Sequence, residues 1–141
     1  MAQRAFLEQL KELQEKLDKV QPIALTKAAQ NLVRLSPDDT GAYVLSHSIG
    51  RSGNVGRSIS SHGRASAPNT HREQALAGLL NQIASIPPNS TRVWIGNNAP
   101  HVNAVEFGLP TWRKPGYAVY NQLRAIFPNL IREAIREAGL K

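Results

Sequence analysis

Histidine is the residue type in this sequence with the most potential for acid–base or metal chemistry. The chain has four of them: His47, His62, His71 and His101. None has the paired spacing of a metal site, and no cluster of carboxylates accompanies them. One general acid–base pair can be drawn, from His101 and Glu106. We favour the competing interpretation, in which Glu106 caps or pairs locally and Asn97 and Asn98 satisfy a tight turn.

Nucleophilic and cofactor chemistry has little support in the other residues. The sequence contains no cysteine, which excludes thiolate catalysis, disulfides and cysteine-based zinc sites. Ser46 and Ser48 flank His47, but neighbours in a strand point to opposite faces and do not form a nucleophile–base pair. The glycines of residues 50–56 lack the Lys-Ser/Thr ending of a phosphate loop. We therefore expect no catalytic residue, no metal site and no cofactor, in a protein that is not an enzyme.

A basic segment, residues 50–71, differs in composition from the rest of the chain. Gly, Ser and Asn are frequent, and no acidic residue occurs between Asp39 and Glu73. Its few apolar groups cannot offset the cost of ordering, so we predict a mobile loop or a hairpin arm centred on Gly53-Asn54. The candidate interaction residues of this arm are its dispersed arginines, Arg51, Arg57, Arg64 and Arg72.

The net charge of +7 suits a negatively charged partner. Arginines spaced through a Gly/Ser segment could follow the phosphates of DNA without selecting a base sequence. However, no aromatic residues alternate with them to stack on bases. Non-specific DNA binding through residues 50–72 is therefore one alternative, and a basic surface kept for solubility or for an acidic neighbour is another.

Residues 1–20 predict an amphipathic helix with a narrow apolar stripe. The spacing of this stripe alternates between four and three residues along Phe6, Leu10, Leu13, Leu17 and Val20. Such a seam packs on another helix, so we expect it to contact the C-terminal helix or a second subunit. Pro22 should interrupt the pattern, and a more buried second helix should follow from Ile23 to Leu35.

The remaining segments mix helices with short strands in a single domain, residues 1–141. Strands are indicated at 42–49 and 92–96, a middle helix at 73–86, and a long C-terminal helix interrupted or kinked near Phe127 by Pro128. The predicted fold class is α+β, a short antiparallel sheet packed by N-terminal, middle and C-terminal helices with a long Arg/Gly/Ser loop. No segment has the length of a membrane span, so we expect no membrane partner.

Two segments together resemble a known family. Residues 35–41, Leu-Ser-Pro-Asp-Asp-Thr-Gly, are followed by Leu-Ser-His-Ser-Ile at 45–49. This is similar to the "P-x-D-T-G … S-I" segment of the neck and tail-completion proteins of tailed bacteriophages, also described as head–tail joining or minor tail components. Residues 93–108 are similar to the family's strand and its "N-x-A-P … V-E-F-G" stretch. The matching motif residues are Asp39, Thr40, Gly41, Asn98, Pro100, Glu106 and Gly108.

The motif residues also have a structural interpretation without the family, in which Pro100 and Gly108 bracket a short helix whose Val102, Val105 and Phe107 can pack on the sheet. The resemblance itself implies a mechanical role. The subunit would assemble with itself into a ring, with six copies favoured and twelve as the alternative. It would lie in the virion, between neighbours such as the connector and the tail tube, with genomic DNA passing through non-specifically. Such a protein would be made in the cytoplasm of the host bacterium.

The long basic loop and the heptad-like N-terminal helix depart from the family's simplest members. They leave open which ring is formed, whether a tail terminator, a tail-completion ring or a neck connector.

Overall fold

A computed structural model of the chain describes residues 2–38, 41–52, 70–111 and 115–140. Within these ranges the elements are α1 (Ala2–Leu35), β1 (His47–Gly50), α2 (Thr70–Ala84), β2 (Trp94–Asn97), α3 (Val102–Phe107) and α4 (Val119–Glu137). The two strands form an antiparallel sheet, and the helices pack around it. The predicted α+β class is confirmed. None of the described helices is both long enough and apolar enough to cross a bilayer.

Helix α1 corrects the prediction of two helices separated at Pro22. It is one helix of 34 residues with Pro22 inside it. A proline there leaves the carbonyl of Asp18 without its helical donor and costs about 3 kcal/mol. The side-chain amide of Gln21 compensates by exchanging two hydrogen bonds with the backbone of Ser90, Nε2 to the carbonyl at 2.9 Å and Oε1 from the amide at 3.0 Å. Tertiary contacts therefore outweigh the local rule.

The second half of α1 forms the centre of the hydrophobic core. Its buried members are Leu25, Ala28, Ala29, Leu32 and Val33. Against them pack Leu79 and Ile83 of α2 and Val119, Leu123 and Leu130 of α4. The small alanines let the neighbouring helices approach α1 closely, which is why this half of the helix is so fully covered. Helix α4 continues through Pro128 without the interruption that the sequence suggested as one outcome.

The strand predicted at 42–49 is shorter than expected. Residues Val44–Ser46 form a 3-10 turn, and pairing begins only at His47, opposite Asn97, and ends at Gly50, opposite Trp94. The hydroxyl of Ser46 donates to the carbonyl of Ala42 at 2.5 Å, which stabilises the turn against an extended conformation.

Helix α2 covers one edge of β1. The amide of Ile49 donates to Oε1 of Gln82 at 2.9 Å, and Nε2 of Gln82 donates to the hydroxyl of Ser48 at 2.9 Å. A side chain thus takes the position that a further strand would occupy.

The predicted basic loop has shorter limits in the structure. Gly50 belongs to β1 and α2 begins at Thr70, ahead of the predicted residue 73. Residues 53–69 lie outside the described residues, and with them the predicted hairpin and the candidate positions Arg57 and Arg64.

Candidate functional site

His47, which looked unremarkable in the sequence, lies at the centre of a buried polar network. Its Nε2 is 2.7 Å from the hydroxyl oxygen of Ser36, and its Nδ1 is 2.8 Å from the hydroxyl oxygen of Tyr120. The side-chain amide of Asn97 also approaches Nδ1, at 3.1 Å, while donating to the carbonyl of Tyr43 at 2.8 Å. The partners come from the residue that follows α1, from α4 and from β2, so the network ties three parts of the fold together.

The geometry assigns the protons in this network. The hydroxyl of Ser36 donates to the carbonyl of Leu32 at 2.6 Å, so its oxygen must accept from Nε2 of His47. Nδ1 then accepts from Tyr120 and Asn97, which leaves a neutral imidazole with hydrogen bonds at both nitrogens. Burial lowers the pKa of His47 to about 3, because a charged ring would be desolvated there.

Ser36 and His47 therefore do not form a nucleophile–base pair. The imidazole donates to the serine rather than accepting its proton, and both residues are 1% exposed, so no substrate reaches them. Burial also raises the pKa of Tyr43 and of Tyr120, which keeps both hydroxyls protonated at neutral pH. The network's role is to hold the fold. Its partners are 11 and 73 residues from His47, and nothing in the local sequence indicated them.

His71 and Arg72 tie the start of α2 to the turn after α1. Nδ1 of His71 is 2.7 Å from Oδ1 of Asp38, and both side chains are buried. Arg72 donates from Nε and Nη2 to the carbonyl of Ser36, at 3.3 and 2.8 Å. Arg72 was predicted to belong to the mobile basic loop. That prediction is wrong for this residue, because it lies in the first turn of α2 and is bonded to the body.

Glu106 does not form an acid–base pair with His101. Its Oε1 accepts the amide of Tyr120 at 2.9 Å and its Oε2 accepts the amide of Asn121 at 3.0 Å. These are unpaired donors in the first turn of α4, so the carboxylate of α3 caps a helix that begins 13 residues later. His101 is exposed and lies near the ring of Tyr43. Among the described residues, no group of three potential metal ligands is found.

Gly108, which ends the second motif, and Gly116, which follows it, allow two chain segments to touch. Gly108 has φ +84, and the amides of Tyr117 and Ala118 donate to the carbonyls of Val105 and Glu106 at 2.7 and 3.0 Å. A Cβ on Gly116 would collide with the backbone nitrogen of Gly108. The crossing therefore requires glycine on both segments.

The other motif positions are placed in turns. Gly41 has φ +84 and packs against the ring of His71. Asn98 and Pro100 are exposed between β2 and α3, and the buried residue is the neighbouring Asn97, whose Oδ1 accepts the amide of Ala99 at 2.8 Å. Phe107 is 77% exposed, so the prediction that it packs on the sheet is wrong. Asp39 and Thr40 lie outside the described residues.

A small basic and aromatic patch lies at one end of the two-stranded sheet. Arg51 follows β1 and lines a shallow depression together with Arg92 and residues 87–91. Trp94, which pairs with Gly50 at the same end of the sheet, is also exposed. Of the predicted arginines Arg51 alone belongs to this patch; Arg92 and Trp94 were not among the candidates because they are distant from the 50–71 segment in sequence.

The apolar stripe of α1 is uncovered. Phe6, Leu7, Leu10, Leu13 and Leu17 are 41–58% exposed. The end of α4 reaches only to the level of Lys16, where a Cβ on Gly139 would lie 3.5 Å from Cε of the lysine. The helix before Lys16 therefore extends past the body, and we call residues 2–17 the arm. The predicted packing of this stripe on the C-terminal helix is wrong for the arm, and the predicted contact with a second subunit stays a prediction.

An apolar groove lies where the arm meets the body. Its volume is about 780 Å³, and α1, α4 and the segment leading into β2 form its walls. The apolar residues that line it include Leu17, Val20, Val93, Phe127, Ile131 and Ile135. Ile131 is half-exposed on its rim. We call it the α1–α4 groove.

Comparisons with protein-family models, with curated proteins and with solved structures each found no match.

Proposed function

We propose that this chain is a structural subunit that assembles with copies of itself into a ring of a tailed-phage virion, at the head–tail neck or the tail end. The observation that carries the self-assembly is the uncovered apolar stripe of α1. A contiguous apolar surface of several hundred Å² is the size of the largest apolar patch on a typical soluble protein, and such a patch is often a contact site. The placement in a virion rests on the motif resemblance of residues 35–49 and 93–108.

The hydrogen bonds of the titratable side chains support a mechanical role. His47, His71 and Glu106, the strongest candidates for acid–base work in the described residues, each bond to a partner that holds two elements together. The motif residues Gly41, Gly108 and Glu106 act on backbone shape and helix capping. A subunit of a ring needs a well-defined shape, and these contacts supply it.

The oligomeric state tests the proposal. Mass photometry and negative-stain microscopy of the purified chain should show closed rings, with six copies expected and twelve as the alternative. A protein that stays monomeric up to high micromolar concentration contradicts self-assembly. The virion placement has its own test, because the chain should be found by mass spectrometry in purified phage particles and at the neck or tail end by antibody labelling.

Non-specific DNA binding is the second candidate, and the patch of Arg51, Arg92 and Trp94 favours it. Two arginines beside an exposed indole can contact phosphates and stack on a base. Fluorescence anisotropy with duplex and single-stranded DNA of mixed sequence, at two salt concentrations, measures it. Arg51→Ala with Arg92→Ala should reduce the affinity and the salt dependence, whereas Arg124→Ala, an exposed arginine of α4, should not. Tight DNA binding by a monomer favours this candidate over the ring.

A further inference from the structure

We propose that the arm of one subunit docks, stripe inward, into the α1–α4 groove of a neighbouring copy. This inference rests on the proposed self-assembly and adds which surfaces meet. The contact would be head-to-tail, because the arm and the groove are different surfaces of each chain that adjoin at Leu17.

The stripe of the arm continues the face that α1 buries in its own body. Leu13, Leu17, Val20 and Ala24 follow one another at intervals of four, three and four residues, so they share one side of the helix. Ala24 is buried, Val20 and Leu17 line the groove, and Leu13 is exposed. The same apolar face thus passes from core to groove to solvent along a single helix. Only its outer part lacks a cover within the described residues.

The arm cannot reach the groove of its own chain. Leu17 and Val20 form part of the groove wall, and the residues before them continue the same helix away from it. No glycine or proline occurs before Pro22 at which the helix could fold back. A second copy can supply an arm that the chain cannot supply itself. Because the two surfaces differ, each subunit offers one arm and one groove, a head-to-tail arrangement that gives a ring where the rotation between subunits closes and an open filament where it does not.

The areas of the two surfaces place the contact at the lower end of specific interfaces. The exposed side chains of Phe6, Leu7, Leu10, Leu13 and Leu17 present at most roughly 500 Å², since a large apolar side chain has on the order of 200 Å² and about half of each is uncovered. One arm-to-groove contact would bury about this area on each partner, roughly 1,000 Å² in total, which is near the minimum for a specific interface. An amphipathic helix in an apolar groove is also a recurrent recognition mode.

Charge does not oppose this pairing. Residues 1–20 hold four acidic and four basic side chains, so the full net charge of +7 lies on residues 21–141. An arm docked on a neighbour therefore adds no net charge to a basic body.

Cysteine cross-linking tests the contact directly, because the chain has no cysteine of its own. Leu13→Cys places a thiol on the stripe, and Ile131→Cys places one on the groove rim. Mixed under mild oxidation, the two variants should give a disulfide-linked heterodimer, at least tenfold more abundant than either homodimer. A Leu13→Cys homodimer as the main product overturns the inference, because it means that arms pair with each other. Assembly without any arm-to-groove cross-link also overturns it.

Charge insertion separates this inference from the proposed function. Leu10→Asp with Leu13→Asp should raise the dissociation constant for assembly at least a hundredfold, and Ile131→Asp should do the same from the groove side. The matched control, Lys11→Glu, changes the charge of the arm by the same two units on a side of the helix away from Leu10 and Leu13 and should assemble as the wild type does. Circular dichroism confirms that each variant is folded. If the wild type forms rings and the stripe variants also form them, this inference fails alone; if the wild type forms none, both proposals fail.

Mixing the two defective variants adds a positive signal. The Ile131→Asp subunit keeps an intact arm, and the Leu10→Asp, Leu13→Asp subunit keeps an intact groove. Together they should form a one-to-one heterodimer and no ring, since one competent contact remains per pair. Two monomers that never associate on mixing, from a wild type that does assemble, contradict the head-to-tail contact.

Discussion

Nε2 of His47 lies 2.7 Å from the hydroxyl oxygen of Ser36, at a depth where neither side chain touches solvent. The distance is that of a nucleophile and its base, yet the serine proton is directed to the carbonyl of Leu32. The polarity of the hydrogen bond, not its length, separates a structural contact from a catalytic one.

Ser36→Ala should destabilise the protein by about 1–3 kcal/mol, because Nε2 of His47 then has no acceptor in a buried site. Ser85→Ala is the matched control, since Ser85 makes the same kind of hydroxyl-to-carbonyl bond at the exposed end of α2. Its cost should stay below about 0.5 kcal/mol. Urea unfolding followed by circular dichroism measures both, and equal losses would contradict a buried network.

Acid should unfold the protein through His47. Its pKa is about 3 in the folded chain and near 6.5 when unfolded, so the unfolded state binds more protons between these values. The resulting contribution to stability is complete above about pH 6.5 and is lost as the pH falls towards 3, by on the order of 1.4 kcal/mol per pH unit. Denaturant titrations from pH 7.5 to 5, above the range of most carboxylates, measure the slope.

His47→Gln should remove most of that slope, at some cost in stability at pH 7.5. His101→Gln, which alters an exposed ring, should keep it. A wild-type stability that is flat over this range would contradict the neutral, buried state of His47.

Glu106→Ala should destabilise α4 by about 1–2 kcal/mol, because two backbone donors in its first turn lose their acceptor. Glu106→Gln should cost less, since an amide oxygen can still accept one of them. Glu12→Ala, at an exposed position of the arm, serves as the control.

Hydrolase screens with nucleotide, ester, peptide and glycan substrates should detect no turnover. An activity that disappears in folded Glu106→Gln would contradict the structural role.

Gly116→Ala should be among the most damaging single substitutions, at about 3 kcal/mol or more, because the new methyl group meets the backbone at Gly108 and Phe107. Gly139→Ala is the comparison: Gly139 has positive φ, at +88, which Gly116 does not, but its Cβ would find only ordinary contacts with Lys16. Its cost should be about 1 kcal/mol. Thermal melts rank the two, and a tolerated Gly116→Ala would show that the crossing can separate.

The sequence pattern predicted the fold class well and the buried network not at all. Helical spacing identified the stripe of the arm, but its exposure depends on α4 ending at the level of Lys16, which no local pattern encodes. Pro22 was predicted to end a helix because proline costs about 3 kcal/mol inside one. The hydrogen bonds between Gln21 and Ser90, which are 69 residues apart, and the packing of the core outweigh that cost. The partners of His47 come from three separate parts of the chain, so they follow from packing and not from spacing.

The continuity of α1 has a mechanical consequence. From Phe6 in the arm to Leu32 in the core the helix rises about 39 Å, and no break interrupts it. Because the helix has no hinge, a force applied to its N-terminal end would tilt the whole helix, including the part that lies in the core. Gln21 and Ser90 clamp the helix near its midpoint, where such a lever would have its fulcrum. Without the hydrogen bonds between Gln21 and Ser90, a pull on the N-terminal end of the helix should therefore tilt its core segment less effectively.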